Sequence, residues 1–229
     1  MPTNSDWKVN TKRYVAFLDI LGFKDFVQRH SAGMVYSRLR ALNGLLPTEE
    51  EQDIDSEMEK RIKYTIFSDS IFILSKDDTL ASFRHFLIYV RRIMRMALRK
   101  RIPLKGAISF GRIVVDEKTN LFCGQPIIDA YLLEEDLQYM GVVFHHTFEE
   151  EYWRFSNNQS KKLLECIKDR PTPFKYGIRN HWNLDYRISG CGIYDLKKYI
   201  EKQRCYSSGD ARKYVDNTLT MIESFEKSD

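Results

Sequence analysis

Two carboxylates in this 229-residue chain stand where acidic groups are uncommon without a task. Asp19 closes the apolar run Val15-Ala16-Phe17-Leu18, and the chain then breaks at Gly22. Asp69 sits at the polar break Ser68-Asp69-Ser70 between two further apolar runs, 62–67 and 71–75. Carboxylates forced together repel, and the repulsion is relieved by a shared proton or a bound cation. Magnesium and manganese prefer oxygen ligands and complete their shells with phosphate oxygens. Two such ions roughly 4 Å apart activate an attacking hydroxyl and neutralise a departing pyrophosphate. The chemistry these residues point to is metal-assisted attack on a nucleoside triphosphate.

The pair works only if the chain brings both acids to one place. Residues 15–18 have no polar alternation, which predicts a central strand covered on both faces. Residues 24–46 follow as a helix with a possible break at Gly33, so a turn opens a helix just after Asp19. Backbone N–H groups of such a turn can cradle phosphate. Runs 62–67 and 71–75, separated by three residues, form a hairpin. Residues 79–100 are the clearest helix, with Leu80, Phe83, Leu87, Val90, Met94 and Ala97 at helical spacing, ended by Pro103. Residues 104–115 form a strand with glycines at 106 and 111, and 121–123 return beside it. Gly124-Gln125-Pro126 opens another helix, with proline in its first turn; residues 142–144 form a further strand. The order β-α-β-β-α-β matches the ferredoxin-like split βαβ motif, an α+β fold read here as a sheet with helices on one face. In that topology Asp19 and Asp69 are neighbours.

Beyond His145 the pattern changes. Residues 148–167 are amphipathic, Pro171 and Pro173 break the chain, 174–188 are aromatic-rich with Trp182 as core, and 214–225 form a last amphipathic helix. The reading is a core at 1–145 and a small helical and aromatic C-terminal extension at 146–229 packed on it.

Hydrophobic residues make up 43% of the chain, enough for a real core, and the net charge of +4 is too mild to call for nucleic acid. The run Arg91, Arg92, Arg95, Arg99, Lys100, Arg101 reads as the solvated end of a helix, where positive charge suits the dipole. The acidic stretch 48–60 reads as a solvated loop. The four cysteines lie outside any CxxC pattern, and no apolar run is long enough to span a membrane. These features predict a cytoplasmic protein with reduced thiols and no membrane insertion.

Phe17-Leu18-Asp19-Ile20-Leu21-Gly22-Phe23 resembles the first metal-binding strand and loop of class III nucleotidyl cyclases. Phe67-Ser68-Asp69-Ser70 sits where that family carries its second metal aspartate. Lys105-Gly106-Ala107-Ile108, Gly111, Gly124 and Ala130 follow in the family's order over residues 13–144. The compact form is similar to the small pyrimidine cyclases of bacterial Pycsar anti-phage systems. The resemblance implies conversion of UTP to cyclic UMP and pyrophosphate, with CTP to cyclic CMP, or an inactive nucleotide sensor, as alternatives. It implies two Mg2+ or Mn2+ ions held by Asp19, Asp69 and the carbonyl of Ile20, and phosphate held by backbone N–H groups of Leu21, Gly22, Phe23 and Lys24. Tyr64 or Thr65 would meet the base, Thr65 standing where adenylate cyclases place a lysine. The family builds its site between two chains, so a homodimer is expected. The product would act on a separate membrane-spanning or TIR-domain effector.

One departure matters. Aligning Gly124 and Ala130 puts Ile128 and Leu132 where many class III cyclases carry an asparagine and a charge-stabilising arginine. Such a cation contributes several kcal/mol to phosphoryl-type transfer. Lys105, taken as catalytic, is the first substitute by sequence, with Arg112 and Lys24 behind it. A diguanylate cyclase would carry a GGDEF-like hairpin, which Phe67-Ser68-Asp69-Ser70 is not.

Overall fold

The computed structural model describes residues 7–44, 60–116, 118–119, 121–156, 161–187 and 193–226; the acidic stretch 48–59 and Cys191 lie outside them. The chain begins with β1 (Asn10–Ile20), α1 (Phe23–Arg29), α2 (Ala32–Asn43), β2 (Ile62–Phe67), β3 (Ser70–Ser75), α3 (Leu80–Arg99) and β4 (Leu104–Asp116). These strands lie in the order β2-β3-β1-β4, all antiparallel, which is the expected split βαβ arrangement. β5 (Leu121–Cys123) folds back on β4, α4 (Gln125–Asp136) follows, and β6 (Val142–Phe144) adds parallel to β4.

Side chains alternate across a strand, so β1 feeds two cores. Tyr14, Ala16, Leu18 and Ile20 are buried against Phe83, Phe86, Leu87, Val90, Ile93 and Met94 of α3. Val15 and Phe17 pack on the other face with Leu74, Ile113, Ala130 and Ile127. Helices therefore cover both faces, not one. The expectation of a single helical layer fails because α4 returns beneath the sheet, where a strand apolar on both sides needs cover.

Two helix ends also differ. The break after α1 falls at His30 and Ser31, not at Gly33. α3 starts with Thr79 accepting from the Ser82 N–H at 3.3 Å. It stops without help from Pro103: Ile102 donates to Ala97 O (2.8 Å) and Arg101 to Leu98 O (3.1 Å), with Arg101 at φ 60°. That is a Schellman turn with arginine in the left-handed position.

Residues 146–229 are more than helical. α5 (Glu149–Ser156) and α6 (Lys161–Leu164) lead into β7 (Ile167–Phe174) and β8 (Gly177–Leu184), which extend the same sheet through Val143↔Asn183. The prolines read as breaks lie in β7, the last strand of the sheet, where a missing N–H costs little. α7 (Ile193–Gln203) and α8 (Gly209–Glu226) close the chain. Met221 and Phe225 of α8 pack on Ala107, Tyr139 and Val143. The Tyr14 hydroxyl donates to Glu151 Oε2 at 2.8 Å, tying α5 to β1. Trp182 lies 4.3 Å from Tyr152 between ring centroids, within the extension's aromatic cluster as expected. Among the described residues Cys123, Cys166 and Cys205 are free thiols, and no helix is long and apolar enough to cross a membrane.

Candidate active site

Asp19 ends β1 on the face that α4 covers. Its cross-strand partners are Ser70 on one side and Lys105 on the other. Ser70 Oγ donates to Asp19 Oδ1 at 3.1 Å, and the Ile20 N–H donates to the backbone oxygen of Asp69 at 3.2 Å. The hairpin tip is therefore bonded to the end of β1, and the two aspartates sit side by side. The tip is a two-residue turn with Ser68 at φ 56°, a conformation that costs a non-glycine residue about 1–2 kcal/mol. Burial first, and then the neighbouring charge of Asp69, push the Asp19 carboxyl up to about 6, against the pull of the Ser70 hydroxyl and Lys105. Lys105 offsets only part of that cost.

Divalent metal fits this arrangement by donor type. The donors are hard oxygens, and burial together with the charge of Asp69 holds Asp19 up, a cost that a bound cation would relieve. Among the described residues no group of three or more His, Cys, Asp or Glu side chains could hold a metal by itself. A two-carboxylate site needs ligands from a substrate, and triphosphate oxygens are the usual source.

The expected phosphate loop is only partly free. The Leu21 N–H donates to Pro103 O at 3.0 Å and has no proton left for a ligand, so Leu21 leaves the expected cradle. The strand is pinned there because Pro103 leads directly into β4, the partner of β1. Gly22 is at φ 74°, which glycine adopts without strain, and Phe23 is buried in the core. Lys24 is exposed in the first turn of α1.

The two base-contact residues lie on opposite faces of β2. Thr65 pairs with Phe72, which pairs with Phe17, so Thr65 shares the Asp19 face two positions back. There it borders a cavity of about 240 Å³ at the β2 edge, lined also by Ile62, Lys63, Tyr64, Phe72, Leu74 and Phe122. The Tyr64 ring stacks on Tyr89 of α3, 6.3 Å away, on the other face.

Of the three substitute cations, Arg112 pairs with Lys12, seven residues before Asp19 and on the opposite face. At about 3.3 Å per residue that is some 23 Å away, so Arg112 cannot serve within the same chain. Lys105 is on the right face but only 7% exposed. Its Nζ lies 2.9 Å from Glu134 Oε1 and donates to the carbonyls of Glu134 (2.8 Å) and Leu137 (3.4 Å) at the end of α4. Ile128 and Leu132 are about half exposed on α4, at 51% and 52%. Glu134 went unnoticed in the sequence. Its only signal there is a single acid on the apolar side of an amphipathic helix, a weak one.

No protein-family model and no curated protein matches the chain. Solved structures do. The catalytic core of a rhodopsin-guanylyl cyclase with converted specificity, in complex with ATPαS, aligns with a TM-score of 0.50 at 11% identity, over 76% of this chain and 94% of that one. The adenylyl cyclase CyaB from P. aeruginosa aligns at 0.47 and 16% identity over the same shares. The adenylate/guanylate cyclase/hydrolase from Silicibacter pomeroyi aligns at 0.46 and 13%, over 76% and 96%. The fold is that of the class III cyclase catalytic core.

Proposed function

We propose that the protein is a metal-dependent class III nucleotidyl cyclase acting on a pyrimidine triphosphate, UTP before CTP. The observation that carries this is the Asp19 and Asp69 pair, joined by the Ile20 N–H to Asp69 O bond, at the end of the central strand of a cyclase fold. The ribose 3′-oxygen bonds to the α-phosphorus in line as its proton passes to solvent water, the bond from that phosphorus to the bridging oxygen breaks, and pyrophosphate departs with the bonding pair. Asp19 and Asp69 would hold the metal with the Ile20 carbonyl, and Gly22 to Lys24 the phosphates. Bound divalent ions would lower the pKa of the 3′-hydroxyl and offset charge on the leaving group. Tyr64 and Thr65 both line the cavity beside β2, and Thr65 alone of the two shares the strand face of Asp19. Its hydroxyl serves either uracil or cytosine, because it both donates and accepts.

The exposed apolar groups Ile128, Tyr131 and Leu132 of α4, with Phe67 at the hairpin tip, suit a homodimer that completes the site. Light scattering that finds a strict monomer with nucleotide bound would contradict this. By resemblance, the product would signal to a separate effector in anti-phage defence. The absence of an arginine on α4 favours a second reading, a sensor that binds nucleotide without turnover.

The test is incubation with each of the four triphosphates and Mn2+ or Mg2+, with products read by mass spectrometry. Cyclic UMP is expected, and cyclic CMP shifts the preference to CTP. Cyclic AMP or cyclic GMP as the main product overturns the pyrimidine assignment. No cyclic product from any triphosphate supports the sensor.

A further inference from the structure

Lys105 is enclosed. Its ammonium has three protons to give. It meets the carbonyls of Glu134, Glu135 and Leu137 at 2.8, 3.3 and 3.4 Å, the Glu134 carboxylate at 2.9 Å, and the ring of Tyr214 at 5.9 Å from the centroid. The last carbonyls of a helix lack intrahelical donors and favour a cation. Lys105 supplies both needs for α4, and no proton is left to reach a phosphate.

The C-terminal helix holds the same point from outside. The Tyr214 hydroxyl donates to Leu137 O at 3.2 Å and accepts from Gln138 Nε2 at 3.0 Å. Asn217 Nδ2 donates to Gln138 O at 2.8 Å, and the Met140 N–H donates to Thr218 Oγ1 at 2.9 Å. Residues 137–140, which carry α4 into β6, are thus gripped one after another by α8. Lys105 of β4 stands directly opposite Asp19 of β1, so whatever moves Lys105 or the end of α4 moves the wall beside the acids.

We infer that Lys105, Glu134 and Tyr214 form a latch that positions the end of α4 against β4 beside Asp19. Lys105 is then a positioning residue and not a contact of the reacting phosphate. Through Tyr214, α8 is a working support of the site. The inference rests on the cyclase reading for its kinetic consequences but not for its structural one.

The test compares full-length Lys105→Met, the neutral double variant Lys105→Met/Glu134→Leu, and Tyr214→Phe. It reads kcat and KM for UTP with Mn2+, and amide hydrogen exchange across residues 134–140. Lys105→Met leaves Glu134 buried without its partner; exchange in 134–140 rises at least tenfold and kcat falls about a hundredfold. The double variant removes the stranded charge but still lacks a donor for the α4 carbonyls; exchange falls back to within about threefold of wild type and kcat to within about tenfold. Tyr214→Phe keeps the ring and loses the hydroxyl; exchange rises severalfold and kcat falls about three- to tenfold, with KM within twofold. Restored exchange with kcat still a hundredfold down overturns the inference, because Lys105 would then touch the substrate. Unchanged exchange in Tyr214→Phe overturns the role of α8. If Lys105→Met does not fold, Tyr214→Phe, which changes no charge, decides. A wild-type protein that cyclises no triphosphate sinks the cyclase reading alone, since exchange still reads the latch.

Discussion

β1 has two faces that do different work. On one, Tyr14, Ala16, Leu18 and Ile20 are 0–3% exposed and pack mainly on apolar and aromatic side chains, with the Tyr14 hydroxyl to Glu151 as a polar contact. On the other, Arg13, Val15, Phe17 and Asp19 run from full burial toward a half-open corner, and the cover is mixed with buried polar groups such as Ser109, Lys105 and Glu134. The first face stabilises the fold. The second holds charge where charge is costly, and that cost makes the corner ready for a cation. Substitutions on the two faces should therefore separate stability from turnover.

The largest effect is expected at the acids. Asp19→Asn and Asp69→Asn should each lower turnover at least a thousandfold, about 4 kcal/mol in the barrier. The unfolding midpoint should hold or rise, because removing one acid relieves repulsion. Steady-state cyclisation and a thermal melt of the same preparation read both. More than a tenth of wild-type activity in either variant would remove that residue from the metal site.

The opposite pattern is expected from the packed face. Phe83 is fully buried, stacks on Phe155 (4.9 Å) and meets the Tyr14 ring at a tilt (4.9 Å). Phe83→Ala should cost about 3–5 kcal/mol of stability by leaving a cavity. The kcat of the folded fraction should stay within a fewfold of wild type. Gly106→Ala tests the boundary between the faces. A Cβ there would come 2.3 Å from Leu18 Cδ2 and 2.6 Å from Phe17 O, so β1 and β4 must separate. A loss of about 1–3 kcal/mol is expected, together with lower turnover, because the strand that shifts carries Asp19. Denaturant unfolding alongside kcat measures this, and a stable, fully active Gly106→Ala would show that the strands are not held in tight register. Ser68→Gly should do the reverse and stabilise by about 0.5–1 kcal/mol, since glycine accepts the left-handed turn at little cost.

Much of this contrast was legible in the sequence because local signals agreed with the fold. The spacing of Phe83, Leu87, Val90 and Met94 marks α3, and the unbroken run before Asp19 marks a central strand. Topology and a short hairpin were enough to bring Asp19 to Asp69, which lie fifty residues apart. Contacts set only by tertiary packing stayed hidden. Lys105 reads as a free cation until α4 folds back and its carbonyls claim the ammonium, 29 residues on. Leu21 reads as a phosphate donor until Pro103 takes its N–H. β7 reads as broken by Pro171 and Pro173 because nothing local says it will be an edge strand. The opposite placement of Tyr64 and Thr65 follows from strand alternation, which fixes the faces once β2 is known to be a strand.

The smallest effect sharpens the comparison by pH. Asp19, pushed up to about 6 from an ordinary 3.8, binds a proton more tightly folded than unfolded. Its contribution to stability is present in acid and is lost as pH rises through about 6. His145 and His181, at the junction of β6 and β8, behave in the opposite sense. Burial holds both below the ordinary 6.5, and His146 lowers them further, against the pull of Asp129 on His145 and of Glu149 and Asp169 on His181. The unfolded chain takes up those protons first, so stability is lost as pH falls below about 6.5. The two regions tilt the same curve in opposite directions over one window. Melting temperatures between about pH 4 and 7.5, in chelator, should fall more steeply toward acid in Asp19→Asn than in wild type. They should fall less steeply in His145→Gln/His181→Gln, by a few degrees in each case. Excess Mn2+ should make wild type resemble Asp19→Asn near pH 6, because the cation and the proton compete for one carboxylate. Parallel curves for wild type and Asp19→Asn would mean that Asp19 is not the strained acid of this corner, and the metal assignment would lose its physical basis.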